Sequence, residues 1–163
     1  MDYTYLLLGH LLGVVIFVAG HGISMALLSL MRRERNVDRL RAMLDMSLGG
    51  LFATYGGLLL TIGFGIALGF AGGWWGTGWL WTSIAILVGI MALMMYMGVT
   101  YFSRIREAVG LQPYRFTAAV KLGPVASETE LAALLMSPKA GLTMSLGTLA
   151  LIALLVLMVL KPF

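Results

Sequence analysis

Two histidines, His10 and His21, are the only ones in the protein, and both lie in a long apolar run at its start. Eleven residues bring them round to nearly the same face of a helix, with an axial rise of roughly 16 Å between them. That rise forbids joint ligation of one metal. They serve two depths, or one binds a metal while the other hydrogen-bonds. Imidazole is a common axial ligand of haem iron, and an ionisable side chain inside a membrane segment points to function. Gly9, Gly13, Gly20 and Gly22 lie beside the two histidines, and missing side chains let a flat macrocycle approach a helix closely. His10, His21, Gly13 and Gly20 are therefore a candidate haem face, with haem b as the candidate cofactor. The same glycines also suit plain helix packing. On that alternative each histidine hydrogen-bonds across helices to a carbonyl or to Thr54, Tyr55, Thr61, Tyr96 or Ser145.

A second axial ligand must come from elsewhere: Met94 or Met95, a water, or a histidine of another subunit. The third apolar run carries Met91, Met94, Met95 and Met97. Thioethers at this density bind copper(I), and they also pack adaptably. Zero cysteines exclude disulfides, thiolate metal sites and thiol catalysis. No charged residue falls inside an apolar run, which leaves acid–base chemistry or carboxylate-coupled transport within the membrane without its usual groups.

The elements that position the histidines follow from where the charges are. The chain is 60% hydrophobic and 11% charged, with a mean hydropathy of +0.96, far from the roughly 25% charged residues of soluble domains. Asp2 and Lys161 sit near the ends, and every other charge lies in 32–45 or 104–139. Four charge-free stretches remain, 3–31, 46–75, 79–102 and 140–160. A helix needs about 20 residues to cross a hydrocarbon core of roughly 30 Å, and none of the four shows the alternation of a barrel strand. The sequence predicts an all-α integral membrane four-helix bundle in a single transmembrane domain, 1–163. Its helices should cover about 4–31, 38–72, 79–102 and 140–160, joined by loops at about 32–37 and 103–139. The first run lacks the positive start and short core of a cleavable signal, so it is expected to stay as a helix.

Orientation comes from the loops. The first carries Arg32, Arg33, Arg35, Arg39 and Arg41, the third carries Arg104, Arg106, Arg115, Lys121 and Lys139, and the second carries no basic residue. Positive-inside topology puts loops one and three in the cytoplasm and both termini outside, as expected for a bacterial inner membrane. Trp74, Trp75, Trp79 and Trp81 then mark the outer interface as anchors. The net charge of +4 belongs to loops beside anionic lipid and does not indicate nucleic acid.

Asn36 is placed to cap the second helix. That helix carries Gly49, Gly50, Gly56, Gly57 and Gly63 at heptad-like spacing, then Gly65 and Gly69, a small-residue stripe for close helix packing. In the third loop, Ser127 and Glu130 form a capping box opening a short amphipathic cytoplasmic helix with Leu131, Leu134 and Leu135 on one face. The fourth helix is expected to be a lipid-facing wall.

The run from Gly9 through His10-Leu11-Leu12-Gly13 to Gly20-His21-Gly22, with Leu30-Met31-Arg32-Arg33-Glu34-Arg35 and Leu44-Asp45-Met46-Ser47, resembles the bacterial family called domain of unknown function 2269. Gly69-Phe70-Ala71-Gly72-Gly73-Trp74-Trp75 and residues 131–139 extend that resemblance over nearly the whole chain. More distantly, the first helix resembles CopD-like copper-resistance proteins and HemJ-type haem-binding oxidases, which carry a similar His-Leu-Leu-Gly-Val run. That similarity implies haem at His10.

Three functions fit these features. The first is a b-type haem protein of the membrane, with a redox or haem-related role. The second is a non-catalytic subunit that docks on other membrane subunits, or on itself, through the glycine face of helix two and the third loop. The third is a small-molecule or copper transporter, with Gly56 and Gly57 as the candidate break in a helix.

Overall fold

A backbone in lipid has no water to bond, so apolar runs of this length must satisfy their amides internally as helices. The computed structural model describes residues 2–114 and 121–163, so Arg115 lies outside the described residues. Four helices are long and apolar enough to cross a membrane, and there is no strand among the described residues. The protein is an all-α, multi-pass membrane protein.

Local signals fix the helix ends. α1 (Tyr3–Met31) begins at Asp2, whose carboxylate accepts from Thr4 N at 3.5 Å. In the turn that follows, the amides of Asn36 and Arg35 donate to one Glu34 oxygen at 2.9 and 2.8 Å. The Asn36 amide foremost, then that of Arg35, holds the Glu34 carboxyl below the usual carboxylate range. α2 (Val37–Gly72) opens where the Asn36 side chain accepts from Asp38 N and Arg39 N at 2.9 and 3.1 Å. It closes on Gly73, whose φ of 66° is left-handed and suits glycine alone without strain. A 3-10 turn, Trp74–Gly76, leads to α3 (Gly78–Met97).

The third helix runs on past its expected end at Phe102. A π-helical turn, Gly98–Phe102, passes directly into α4 (Ser103–Ala108). The first charges beyond the apolar run had suggested a loop there, yet Ile105 and Val109 continue the buried face and are fully buried. α5 (Glu128–Leu135) opens on the Ser127–Glu130 capping box, and α6 (Pro138–Leu160) carries Pro138 in its first turn.

Within the membrane the backbones meet mainly as two pairs, α1 with α2 and α3 with α6. Glycine makes the first pair close. A β-carbon built on Gly13 would lie 2.6 Å from Thr61 N, and one on Gly20 2.6 Å from Thr54 N and 2.7 Å from Gly50 O. A β-carbon on Gly50 would come within 3.2 Å of Gly20 O, and one on Gly57 would strike Phe17 N and lie 2.8 Å from Gly13 O. The expected single stripe on α2 is in fact two. Gly50 and Gly57 face α1, whereas Gly49, Gly56 and Gly63 meet nothing within 4 Å and are exposed. Adjacent positions on a helix differ by about 100°, so neighbouring glycines cannot share one seam. α2 is also continuous through Gly56 and Gly57, so they do not break it.

The large buried core lies at the basic end, where the helices extend beyond their apolar runs. Leu40 and Leu44 of α2, Ile105 of α4, Val109 just after it, and Leu131 and Leu135 of α5 converge there with Met31 and Tyr101. Water is near enough at this end for apolar burial to drive packing, at about 1.5–3 kcal/mol per large side chain. In lipid that force is missing and close fit takes over. α5 thus belongs to the bundle itself. α6 is not only a wall, since Ala140, Thr143 and Gly147 are buried on its inner face. Phe52, Leu59, Phe70 and Val159 point outward, as side chains bathed in lipid should.

Candidate functional site

α1 carries both histidines on the flank of its glycine seam, and the structure gives them different surroundings. The His10 ring reaches α2, where Nδ1 lies 2.9 Å from Thr61 O. A carbonyl only accepts, so Nδ1 carries the proton and donates, and Nε2 keeps its lone pair. A histidine that ligates a metal is typically held in this way by a second bond to a carbonyl or carboxylate. Gly65 makes the approach feasible, because a β-carbon there would sit 3.3 Å from His10 Nδ1 and Cε1. His10 stays partly exposed, so its ring remains accessible.

His21 is enclosed. Its Nε2 is buried with no hydrogen-bond partner among the described residues. It lies against α6, where a β-carbon on Gly147 would be 3.3 Å from that nitrogen and 2.8 Å from Met94 Cε. Phe17 stacks on the ring, with centroids 6.2 Å apart and planes inclined by 19°. α1, α3 and α6 therefore meet at Gly147, with His21 and Met94 on either side.

The four methionines of α3 do not converge. Met94 faces inward at Gly147, Met97 is buried in the core at the basic end, and Met91 and Met95 are exposed outward. Met95 is thus no partner for either histidine within one chain. The glycine cradle expected for a macrocycle is closed as well, since a β-carbon on Gly13 or Gly20 would lie 2.6 Å from α2 backbone.

No family model, curated protein or solved structure matches this chain. What the histidines do is therefore judged from their own surroundings. Sequence reasoning placed Gly65 in a packing stripe without linking it to His10 and missed Gly147, although small residues in an apolar helix admit close neighbours.

An unpartnered buried nitrogen costs about 1–3 kcal/mol. His21→Leu, of similar bulk and without polar atoms, is accordingly expected to leave stability unchanged or raise it by about 1 kcal/mol. Reversible unfolding in mixed micelles measures this, and a clear loss would mean that Nε2 holds something.

At the other end, both termini join the tryptophans. Lys161 Nζ lies 3.9 Å from the Trp74 ring centroid and 5.6 Å from that of Trp79, and Trp79 N donates to Phe163 O at 3.0 Å. Tyr3 packs edge-on against Trp74. Trp79 is only 3% exposed, so it ties the start of α3 to the end of α6 instead of anchoring in lipid. Trp81 is 56% exposed, with Nε1 donating to Trp75 O at 2.9 Å, and keeps the position of an interface anchor. Trp74 and Trp75 are half-buried, and both adjoin the glycines that end α2.

Proposed function

We propose that this protein is a b-type haem carrier of a bacterial cell membrane, in which His10 Nε2 would hold the iron, with the basic end in the cytoplasm. The observation that carries the proposal is the His10–Thr61 hydrogen bond at 2.9 Å. It fixes the tautomer, orients the ring and leaves one nitrogen free at an accessible position, as metal ligation requires. When bound, haem supplies one-electron redox chemistry. The chain's own residues would hold and shield it: His10 through Nε2, its ring oriented by the Thr61 carbonyl and admitted to α2 by Gly65, with the apolar flanks of α1 and α2 excluding water. His21 is a packing residue on this proposal, because its Nε2 is closed in by Gly147.

The test is an absorption spectrum of the protein purified from membranes or reconstituted with haemin. We expect a Soret band that His10→Ala removes and His21→Leu leaves in place. No band in either preparation overturns the proposal, as does a band that survives His10→Ala.

A second reading rests on the exposed stripe of Gly49, Gly56 and Gly63, where an added β-carbon would meet none of the described residues within 4 Å. Small residues are the usual seams between membrane helices, so this face suits a helix of another subunit, and the protein would then be an accessory component of a larger membrane complex. Gentle detergent extraction that yields only isolated chains argues against it.

A further inference from the structure

A groove of about 990 Å³ opens at the basic end between the Tyr96–Arg104 stretch, residues 124–126, α5 and the start of α6. Among the described residues two cations line it, Arg104 and Lys139. Arg104 is the first charge after the third apolar run and Lys139 the last before the fourth. Both therefore stand where helices leave the hydrocarbon, which is the level of lipid phosphates. Both are exposed, and neither is paired with a carboxylate among the described residues. The one carboxylate in the groove, Glu130, is turned to its own helix start, accepting from Ser127 N at 3.0 Å and Ser127 Oγ at 2.7 Å.

The other half of the groove is apolar and hydroxyl-bearing. Thr100 and Tyr101 line it, and Tyr96, 65% exposed, opens it onto the lipid-facing side of α3. The π-helical turn shapes this wall: Tyr101 is drawn inward, its hydroxyl donating to Leu134 O at 2.8 Å. A soluble phosphate would use the cations and leave the apolar half unfilled. A phospholipid fills both.

We propose that the groove binds an anionic phospholipid of the cytoplasmic leaflet, its phosphate between Arg104 and Lys139 and its glycerol and upper acyl chain along Thr100 and Tyr96. The proposal is independent of haem at His10. A cation near the membrane surface contributes about 1 kcal/mol to anionic lipid binding, or about fivefold, so the pair should contribute on the order of 25-fold.

Native mass spectrometry of the full chain, released from micelles holding equal phosphatidylglycerol and phosphatidylcholine, tests this. We expect one retained phosphatidylglycerol, lost in Arg104→Gln/Lys139→Gln. It should remain in Arg35→Gln/Arg39→Gln, whose cations do not line the groove. The charge-keeping exchange Arg104→Lys/Lys139→Arg should retain it too, and this answers a case in which the neutral variant fails to fold. Equal retention of the two lipids, equal loss in both neutral double variants, or displacement by millimolar inorganic phosphate overturns the proposal.

Discussion

Gly57→Ala is expected to destabilise the protein by about 2–3 kcal/mol, and Gly57→Leu to part α1 from α2 and prevent assembly. The added β-carbon would strike Phe17 N and lie 2.8 Å from Phe17 Cα and Gly13 O. All of these are backbone atoms of a hydrogen-bonded helix, so no side chain can rotate out of the way. The paired control is Gly56→Ala, one residue earlier, where the new methyl meets nothing within 4 Å. It should be neutral or slightly stabilising, because alanine favours helix over glycine by up to about 1 kcal/mol. Unfolding in graded mixed micelles, followed by helicity, separates the two. Equal losses at Gly56 and Gly57 would mean that α1 does not seat on the Gly50–Gly57 face.

Arg106→Ala should be about as damaging, at about 2–3 kcal/mol. Arg106 is 7% exposed and holds three strands of the fold's logic at the basic end. Nε donates to Gln112 O at 2.7 Å, Nη1 reaches Leu44 O at 3.5 Å, and Nη1 and Nη2 lie 3.4 and 3.5 Å from Asp45 Oδ1. The guanidinium also sits 4.8 Å from the Tyr114 ring centroid. Together these contacts tie α4 to α2 and to the segment that follows α4. Arg106→Lys should recover little, because a single ammonium cannot reproduce a planar fork of donors. Asp45→Asn should cost less than about 1 kcal/mol, since the Asp45 side chain is 57% exposed and the pair is screened on that side. A double-mutant cycle under the same unfolding conditions checks the ranking. If Asp45→Asn matches Arg106→Ala, the ion pair outweighs the carbonyl contacts and the account is wrong.

Several features were legible because they depend on short stretches of chain. Asn36 and the Ser127–Glu130 box mark helix starts through bonds to amides two or three residues away. The end of the third helix is not legible, for a local reason too: charge marks the edge of the hydrocarbon and not the edge of the helix. Arg106 illustrates this. A lone arginine past an apolar run looks like a solvated loop residue, and only the arrival of Leu44, Asp45 and Gln112 around it makes it a buried brace.

The candidate site was legible in its residues and not in its geometry. The spacing of His10 and His21 on one flank of α1 is a property of any helix. That one bonds a carbonyl of α2 and keeps its second nitrogen unbonded, while the other has a buried nitrogen against Gly147, depends on where α2 and α6 pass. Gly13 and Gly20 make the same point: as sequence they suit a macrocycle or a neighbouring helix equally, and the neighbouring helix occupies them.

The sequence by itself determined the four spans, the two basic segments at one end and the helix caps, because length, charge and near-neighbour hydrogen bonds are local quantities. Tertiary structure decided which glycines form the seam, which histidine stays accessible and which cations share a groove. The physical reason is rotation: one residue turns a helix face by about 100°. Contact between helices therefore depends on a register that composition and periodicity leave open.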